Sequence, residues 1–395
     1  MGIVALMMGM TAYSVDNLLP AFDSLRAGFA LADPNAPQLL VYGYMMAFAL
    51  AQIAYGPISD MVGRRPVLIG GMAIYMAGCV LAIVAPSFSM LMVSRVIQGI
   101  GSAAARVLAV AIVRDRFEGR EMARVMSLAM MVFLIVPIFA PALGSGLLMV
   151  GPWPLIFVSM FAVALTLSLW FGRRMPETLH PEFRFPFSAQ KIASAVALTA
   201  TTREALGYST GVGLMMGCVL GYVGSAQQIL ETTVYGLGSS FSLYFALVAA
   251  TMAVGSLLNS RVVRRFGMRR LSHGAIIGFT AIAGVLVVVA LAYGGRPPLA
   301  LFIGLVAAAM FLFALTVPNF NTMAMEPLGA VAGTAAAFIG AYTTLLGALC
   351  GLAVGQSFNG TVVPLAAGYF ILSALCLLVV LWTERGRLFV ARHRS

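Results

Sequence analysis

Charge is what this chain has least of: Asp, Glu, Lys and Arg make up only 9% of its 395 residues, against 61% hydrophobic residues. A water-soluble globule must cover itself with polar groups, so this balance excludes one. No polar stretch is long enough to form a separate domain or to cradle a nucleic acid; the longest spans 172–191. The histidines, His180, His273 and His393, are too few and too scattered for a membrane-embedded enzyme built on clustered His, Asp or Cys groups. Cys79, Cys218, Cys350 and Cys376 sit in apolar stretches without metal-ligand spacing, which points to packing rather than to disulfides or a metal. No Gly-rich loop ending in Gly-Lys-Ser/Thr is present, so neither nucleotide nor any other cofactor is expected. The opening run GIVALMMGMTAYSVDNLLPAF lacks a basic leader and reads as a first transmembrane helix rather than a cleavable signal.

What fills the chain is a series of apolar runs, near 2–22, 38–59, 66–86, 89–112, 123–149, 153–171, 205–226, 239–260, 273–293, 297–317, 329–355 and 360–382. About twenty apolar residues cross a bilayer as a helix. The expected fold is therefore an all-α membrane protein of twelve transmembrane helices in two six-helix bundles. The expected domains are 1–172, a linker 173–204 with a short surface helix around Ala189–Thr199, 205–384, and a basic tail 385–395.

The net charge of +11 is concentrated in alternate connections. Arg64 and Arg65, then Arg114, Arg116, Arg120 and Arg124, the stretch from Arg173 to Arg203, the cluster from Arg261 to Arg270, and the terminal arginines lie on one side; Arg26 and Arg296 are the only basic residues on the other. By the positive-inside rule both termini are cytoplasmic, and the expected location is the bacterial inner membrane. That placement accounts for the basic charge without a nucleic-acid partner.

A faint internal repeat is visible: SDMVGRRPVL at 59–68 and RVVRRFGMRRL at 261–271 both set a glycine and a basic pair between a second and a third helix. Two similar bundles suit alternating access. Within the spans stand three charges, Asp16, Arg95 and Arg106. Ionisable groups in hydrocarbon are costly, and each is a candidate by default. Asp16 is the candidate proton carrier; the bland alternative is an acid near the outer boundary hydrogen-bonding Asn17 or a loop. Arg95 and Arg106, eleven residues apart, return to within about 20° of one helix face. Arg95 is the candidate for stabilising the deprotonated acid, while Arg106 either meets substrate, pairs with a carboxylate or snorkels to the interface. Tyr13, Tyr42, Gln52, Tyr222, Gln227, Asn319 and Tyr342 are candidates for lining a substrate cavity, or else for fastening helices. Asp60, Gly63, Arg64 and Arg65 form a candidate charge latch, and Pro137, Pro141 and Gly144 a candidate bend. Gly213, Gly217 and Gly221, like Gly347, Gly351 and Gly355, recur every four residues and predict close helix packing.

Several of these motifs together resemble the major facilitator superfamily, and within it the drug:proton antiporters of the bicyclomycin and chloramphenicol resistance branch. GPISDMVGRRPVL at 56–68 resembles the superfamily loop between helices two and three, and LMVSRVIQGIGSAA at 91–104 its fourth-helix motif, which places the family's arginine on Arg95. VPIFAPALGSGLL at 136–148 resembles the antiporter motif of helix five, and SVDNLLPAF at 14–22 the branch's first-helix motif, with its acid on Asp16. Two features depart from the branch: Arg106, where a small or apolar residue is usual, and Arg264, in register with Asp60. The resemblance implies efflux of small amphiphilic organic compounds or drugs in exchange for protons, with membrane lipids as the only other partner and a monomer as the working unit. The alternative is a secondary transporter of a small polar or anionic metabolite.

Overall fold

A computed structural model of the chain describes residues 2–117, 119–180, 182 and 189–389; the terminal arginines Arg392 and Arg394 lie outside them. The helices in chain order are α1 (Gly2–Asp16), α2 (Phe22–Gly28), α3 (Leu39–Val62), α4 (Arg64–Ile83), α5 (Phe88–Arg116), α6 (Gly119–Val150), α7 (Pro154–Arg174), α8 (Ala189–Thr201), α9 (Arg203–Ala226), α10 (Phe241–Phe266), α11 (Met268–Ala292), α12 (Leu299–Met325), α13 (Ala332–Gln356) and α14 (Val363–Thr383). Among the described residues, eleven helical segments are long and apolar enough to cross a membrane, and α6 adds a shorter apolar stretch, Ile135–Val150. This is the all-helical fold of two six-helix sets.

The chain divides into two compact units, residues 1–191 and 192–395. Each unit repeats one packing scheme. In unit 1, α1 packs on α5, α6 and α7, α5 packs on α3 and α4, and α4 packs on α7. In unit 2, α9 packs on α12, α13 and α14, α12 packs on α10 and α11, and α11 packs on α14. The repeat seen faintly in the sequence is thus a repeat of contacts. Its turns match as well: Gly63 (φ 114°, ψ 157°) and Gly267 (φ 79°, ψ 156°) each join two helices through one residue in a region that side chains disfavour.

The glycine runs do what their spacing predicts. A Cβ on Gly217 would stand 2.5 Å from Cys350, one on Gly221 2.8 Å from Val354, and one on Gly351 2.7 Å from Leu220, so α9 and α13 interlock along both runs. In hydrocarbon, where apolar burial drives little association, such backbone approach supplies the dispersion contact that holds helices together.

The first span differs from the expectation of one helix over 2–22. Alpha-helix α1 stops at Asp16, a short 3₁₀ turn covers Leu19–Ala21, and α2 restarts at Phe22. The cause is Pro20, which occupies the first turn of the 3₁₀ segment and has no N–H to continue α1. By contrast, α6 runs continuously through Pro137 and Pro141.

Candidate functional site

Unit 1 holds all three charges expected within the spans, Asp16, Arg95 and Arg106. Asp16 is 5% exposed at the last residue of α1, and among the described residues its carboxylate forms no ion pair or hydrogen bond. The break after it is filled by α6: a Cβ on Gly144 would stand 2.2 Å from the Asn17 carbonyl oxygen, so this position tolerates only glycine without displacement. Asn17 Nδ2 donates to Ser159 Oγ at 3.3 Å, and the Tyr13 hydroxyl is 2.8 Å from the same oxygen.

Arg95 is completely buried on α5. It does not pair with Asp16. Its Nε donates to the Leu40 carbonyl at 3.1 Å, Nη1 to Gln98 Oε1 at 2.6 Å, and Nη2 to the Ser14 carbonyl at 3.1 Å, with the guanidinium 4.4 Å from the Tyr44 ring centre. Ser14 lies in the last turn of α1, whose carbonyls form the negative helix end, so Arg95 satisfies that end two residues from Asp16. Ser14 Oγ in turn lies 2.6 Å from the Tyr75 hydroxyl, and Tyr44 donates to Ser102 at 2.7 Å. Ser14, Tyr75, Ser102 and Ser159 were not legible as members of this cluster. Arg106 is half-buried further along α5, Tyr42 is fully buried on α3, and Gln52, also on α3, has an Nε2 without a hydrogen bond among the described residues.

At the turn from α3 to α4 the candidate latch residues make more contacts than the motif alone suggests. Arg64 Nη1 reaches Asp60 at 2.5 Å and Ser59 Oγ at 2.6 Å, while its Nε reaches Asp115, at the end of α5, at 3.0 Å. Arg65 donates to the Gly172 carbonyl at 2.6 Å. Glu177, just after α7, receives the first two backbone N–H groups of α4, those of Arg64 at 2.9 Å and Arg65 at 3.1 Å. It therefore caps α4 from outside the helix, and its charge matches the positive helix end. Partial burial works to raise the Glu177 pKa, but the N–H groups of Leu179, Arg64, Arg65 and Thr178 outweigh it and hold the carboxyl below its ordinary value.

Unit 2 answers with a different set of residues. Arg269, in register with Arg65, is held by Glu384 at 2.9 Å and by Glu326 at 3.7 Å. Tyr208 donates to Glu384 as well, and its hydroxyl lies 3.3 Å from His273 Nε2. With Arg264 at the position of Asp60 and Met268 at that of Arg64, the ion pairs of this turn fall instead on Arg269, with acids that follow α12 and α14. Of the cavity candidates, Asn319 Nδ2 donates to Asn259 at 2.8 Å and to the Leu315 carbonyl at 2.7 Å, and so fastens α12 to α10. Tyr342 lies 3.0 Å from Thr210 Oγ1. Gln227 opens a π-helical turn, Gln227–Thr232, and is 1% exposed; neither atom of its amide makes a hydrogen bond among the described residues, nor does the hydroxyl of Tyr222.

The profile of the Major Facilitator Superfamily matches residues 2–353. The chain belongs to that superfamily. It is 28% identical to a bicyclomycin resistance protein homolog of Haemophilus influenzae over 89% of this chain and 88% of that one. It is also 28% identical to multidrug resistance protein D of Escherichia coli, over 78% of this chain and 76% of the relative. Among solved structures, a D-xylose-proton symporter superposes with a TM-score of 0.74 at 14% identity, covering 95% of each chain, and so shares the fold. The superfamily's members here are membrane transporters, and this chain is a multi-pass transporter of that kind. The superfamily turn at 56–68 carries its own basic pair and its own acid, Asp60, but Asp115, which also holds the Arg64 side chain, and Glu177, which takes its backbone N–H, come from 51 and 113 residues away, beyond the reach of any local motif.

Proposed function

We propose that this transporter exports small amphiphilic organic compounds across the bacterial inner membrane in exchange for protons, by alternating access, with its basic helix ends on the cytoplasmic side. The observation that carries the reading is Asp16: a carboxyl group, nearly fully buried, without a cation partner among the described residues, at the break of the first span. A group so placed can exchange its charge for a proton, because bare charge in apolar surroundings is costly. Gaining or losing charge there acts on the end of α1, which Arg95 holds through Ser14 and against which Gly144 is packed. The relatedness to bicyclomycin and multidrug resistance proteins supports amphiphilic cargo. Candidate polar contacts for it are, within unit 2, the unpartnered amide of Gln227, the Tyr222 hydroxyl and Tyr342, and, within unit 1, the Gln52 Nε2, Tyr13, Tyr42 and Arg106. The latch around Arg64 holds one conformation and releases in the other.

The test is export in proteoliposomes under an imposed proton gradient, with a panel of amphiphilic antibiotics, sugars and organic anions. Wild-type protein is expected to move an antibiotic against its gradient only when protons flow the other way. Asp16→Asn is expected to abolish gradient-driven movement while retaining exchange of labelled cargo. Unchanged gradient-driven export by that variant would refute the assignment.

A further inference from the structure

The turn from α10 to α11 carries arginines that neither the latch nor the proton carrier uses. We infer that Arg261, Arg264, Arg265 and Arg270 form a docking site for the headgroup of an anionic phospholipid. All four are exposed, and none makes an ion pair among the described residues, whereas their neighbour Arg269 is taken by Glu384 and Glu326. The sequence contains no acid at all between Glu231 and Glu326.

Their place on the helix identifies the partner. Leu243, Leu247, Val254, Leu257 and Leu258 are 70%, 51%, 58%, 62% and 40% exposed, and form the stripe of α10 that faces lipid. At about 100° per residue, each of these, and Arg264 and Arg265 too, falls within roughly 60° of Arg261. The three arginines therefore continue the lipid-facing stripe instead of turning toward protein. From Leu243 to Arg261 the helix rises about 27 Å, close to the thickness of the hydrocarbon layer, and Arg264 and Arg265 lie roughly one turn beyond, at headgroup depth. The Arg265 guanidinium rests 5.6 Å from the ring centre of Phe266, itself 51% exposed, an apolar foot beside the charges. Arginines at i, i+3 and i+4 repel one another unless an anion lies among them.

The fold does not require this cluster. In repeat register with Gly63, unit 1 has Pro57, Asp60, Met61 and Pro66 at the four positions. Membrane orientation requires basic residues near span ends, but does not place them on the lipid stripe of a single helix. A phosphate with two acyl chains fits both halves of the surface: guanidinium groups for the phosphate, and Leu257, Val254 and Leu247 for the chains.

The experiment uses full-length protein purified in neutral detergent, titrated with phosphatidylglycerol, phosphatidylcholine or inorganic phosphate. Native mass spectrometry reads retained lipid, and thermal unfolding reads stabilisation. Phosphatidylglycerol alone is expected to be retained and to raise the unfolding midpoint. The variant R261Q/R264Q/R265Q/R270Q is expected to lose affinity by roughly six-hundredfold, at about fivefold per arginine. A control lacking as many basic residues elsewhere, R114Q/R116Q/R173Q/R174Q, is expected to keep it. Should the fourfold variant fail to fold, Arg264→Asp, which restores the acid of unit 1, is expected to weaken binding at least tenfold. Equal retention by the variant, equal loss in the control, or equal stabilisation by inorganic phosphate would overturn the inference.

Discussion

Replacing Glu177 by Gln tests how far a residue of the linker governs the first turn of α4. The wild-type carboxylate accepts four backbone N–H groups: Arg64, Thr178 and Leu179 on Oε1, and Arg65 on Oε2. Gln retains the first oxygen but places an NH₂ group opposite the Arg65 N–H. One bond is lost outright and the others become neutral. Hydrogen bonds to charged acceptors contribute about 1.5–3 kcal/mol and neutral ones about 0.5–1.5, and the half-exposed position of Glu177 takes the lower end of both ranges. For the two bonds to the first turn of α4, losing one at about 1.5 kcal/mol and weakening the other by about 1 kcal/mol gives about 2–3 kcal/mol, a roughly thirty- to hundred-and-sixtyfold rise in opening of the turn. The assay is hydrogen exchange at the amides of Arg64 and Arg65 in detergent, repeated across pH. Because the folded-state carboxyl sits below its ordinary value, its stabilisation is present above the unfolded-chain pKa of about 4.3 and disappears as pH falls through the lower folded value. Wild-type protection, corrected for intrinsic exchange, should decline only in that acid window, while Glu177→Gln should be low and flat. Equal protection in the two proteins at pH 7, or a wild-type decline near neutrality, would refute the capping role.

Other substitutions follow from single contacts. Gly144→Ala drives a methyl group into the Asn17 carbonyl and is expected to destabilise by about 1–3 kcal/mol and to impair export, whereas Gly146→Ala, with nothing within 4 Å, should be neutral in thermal unfolding. Arg95→Ala strips partners from two buried carbonyls and from Gln98, and is expected to lower the yield of folded protein severely, with Arg95→Lys recovering it only in part. Gly217→Ala should lower the unfolding midpoint through its clash with Cys350, and Cys350→Gly in the same chain should restore most of the loss; additive effects in that double-mutant cycle would contradict the interlocked seam.

The helices and the three charges within them were legible because charge inside an apolar run is conspicuous, and because hydropathy alone marks a span. Asp60 and Arg64 were legible as a motif four residues apart. Their partners were not: Asp115 and Glu177 look like ordinary acids at helix ends, and only the folded chain brings them to Arg64. Ser14 and Tyr75 carried no charge to set them apart. The interruption of the first span did have a signal, Pro20, which was outweighed by an unbroken hydrophobic run. Asn319 illustrates the opposite difficulty, since an amide in a span reads equally as a ligand or as a rivet, and here its nitrogen is bonded to Asn259.

The single-residue corners at Gly63 and Gly267 leave no slack between a second and a third helix. Inserting one residue there would rotate everything downstream by about 100° and advance it about 1.5 Å. In unit 1 that would carry Arg64 away from Asp115 at one membrane face and Tyr75 away from Ser14 deep within the bilayer. Such a corner works as a clock setting: it keeps a surface ion pair and a core hydroxyl pair, eleven positions apart, on the same hour, and an indel there would be felt at both.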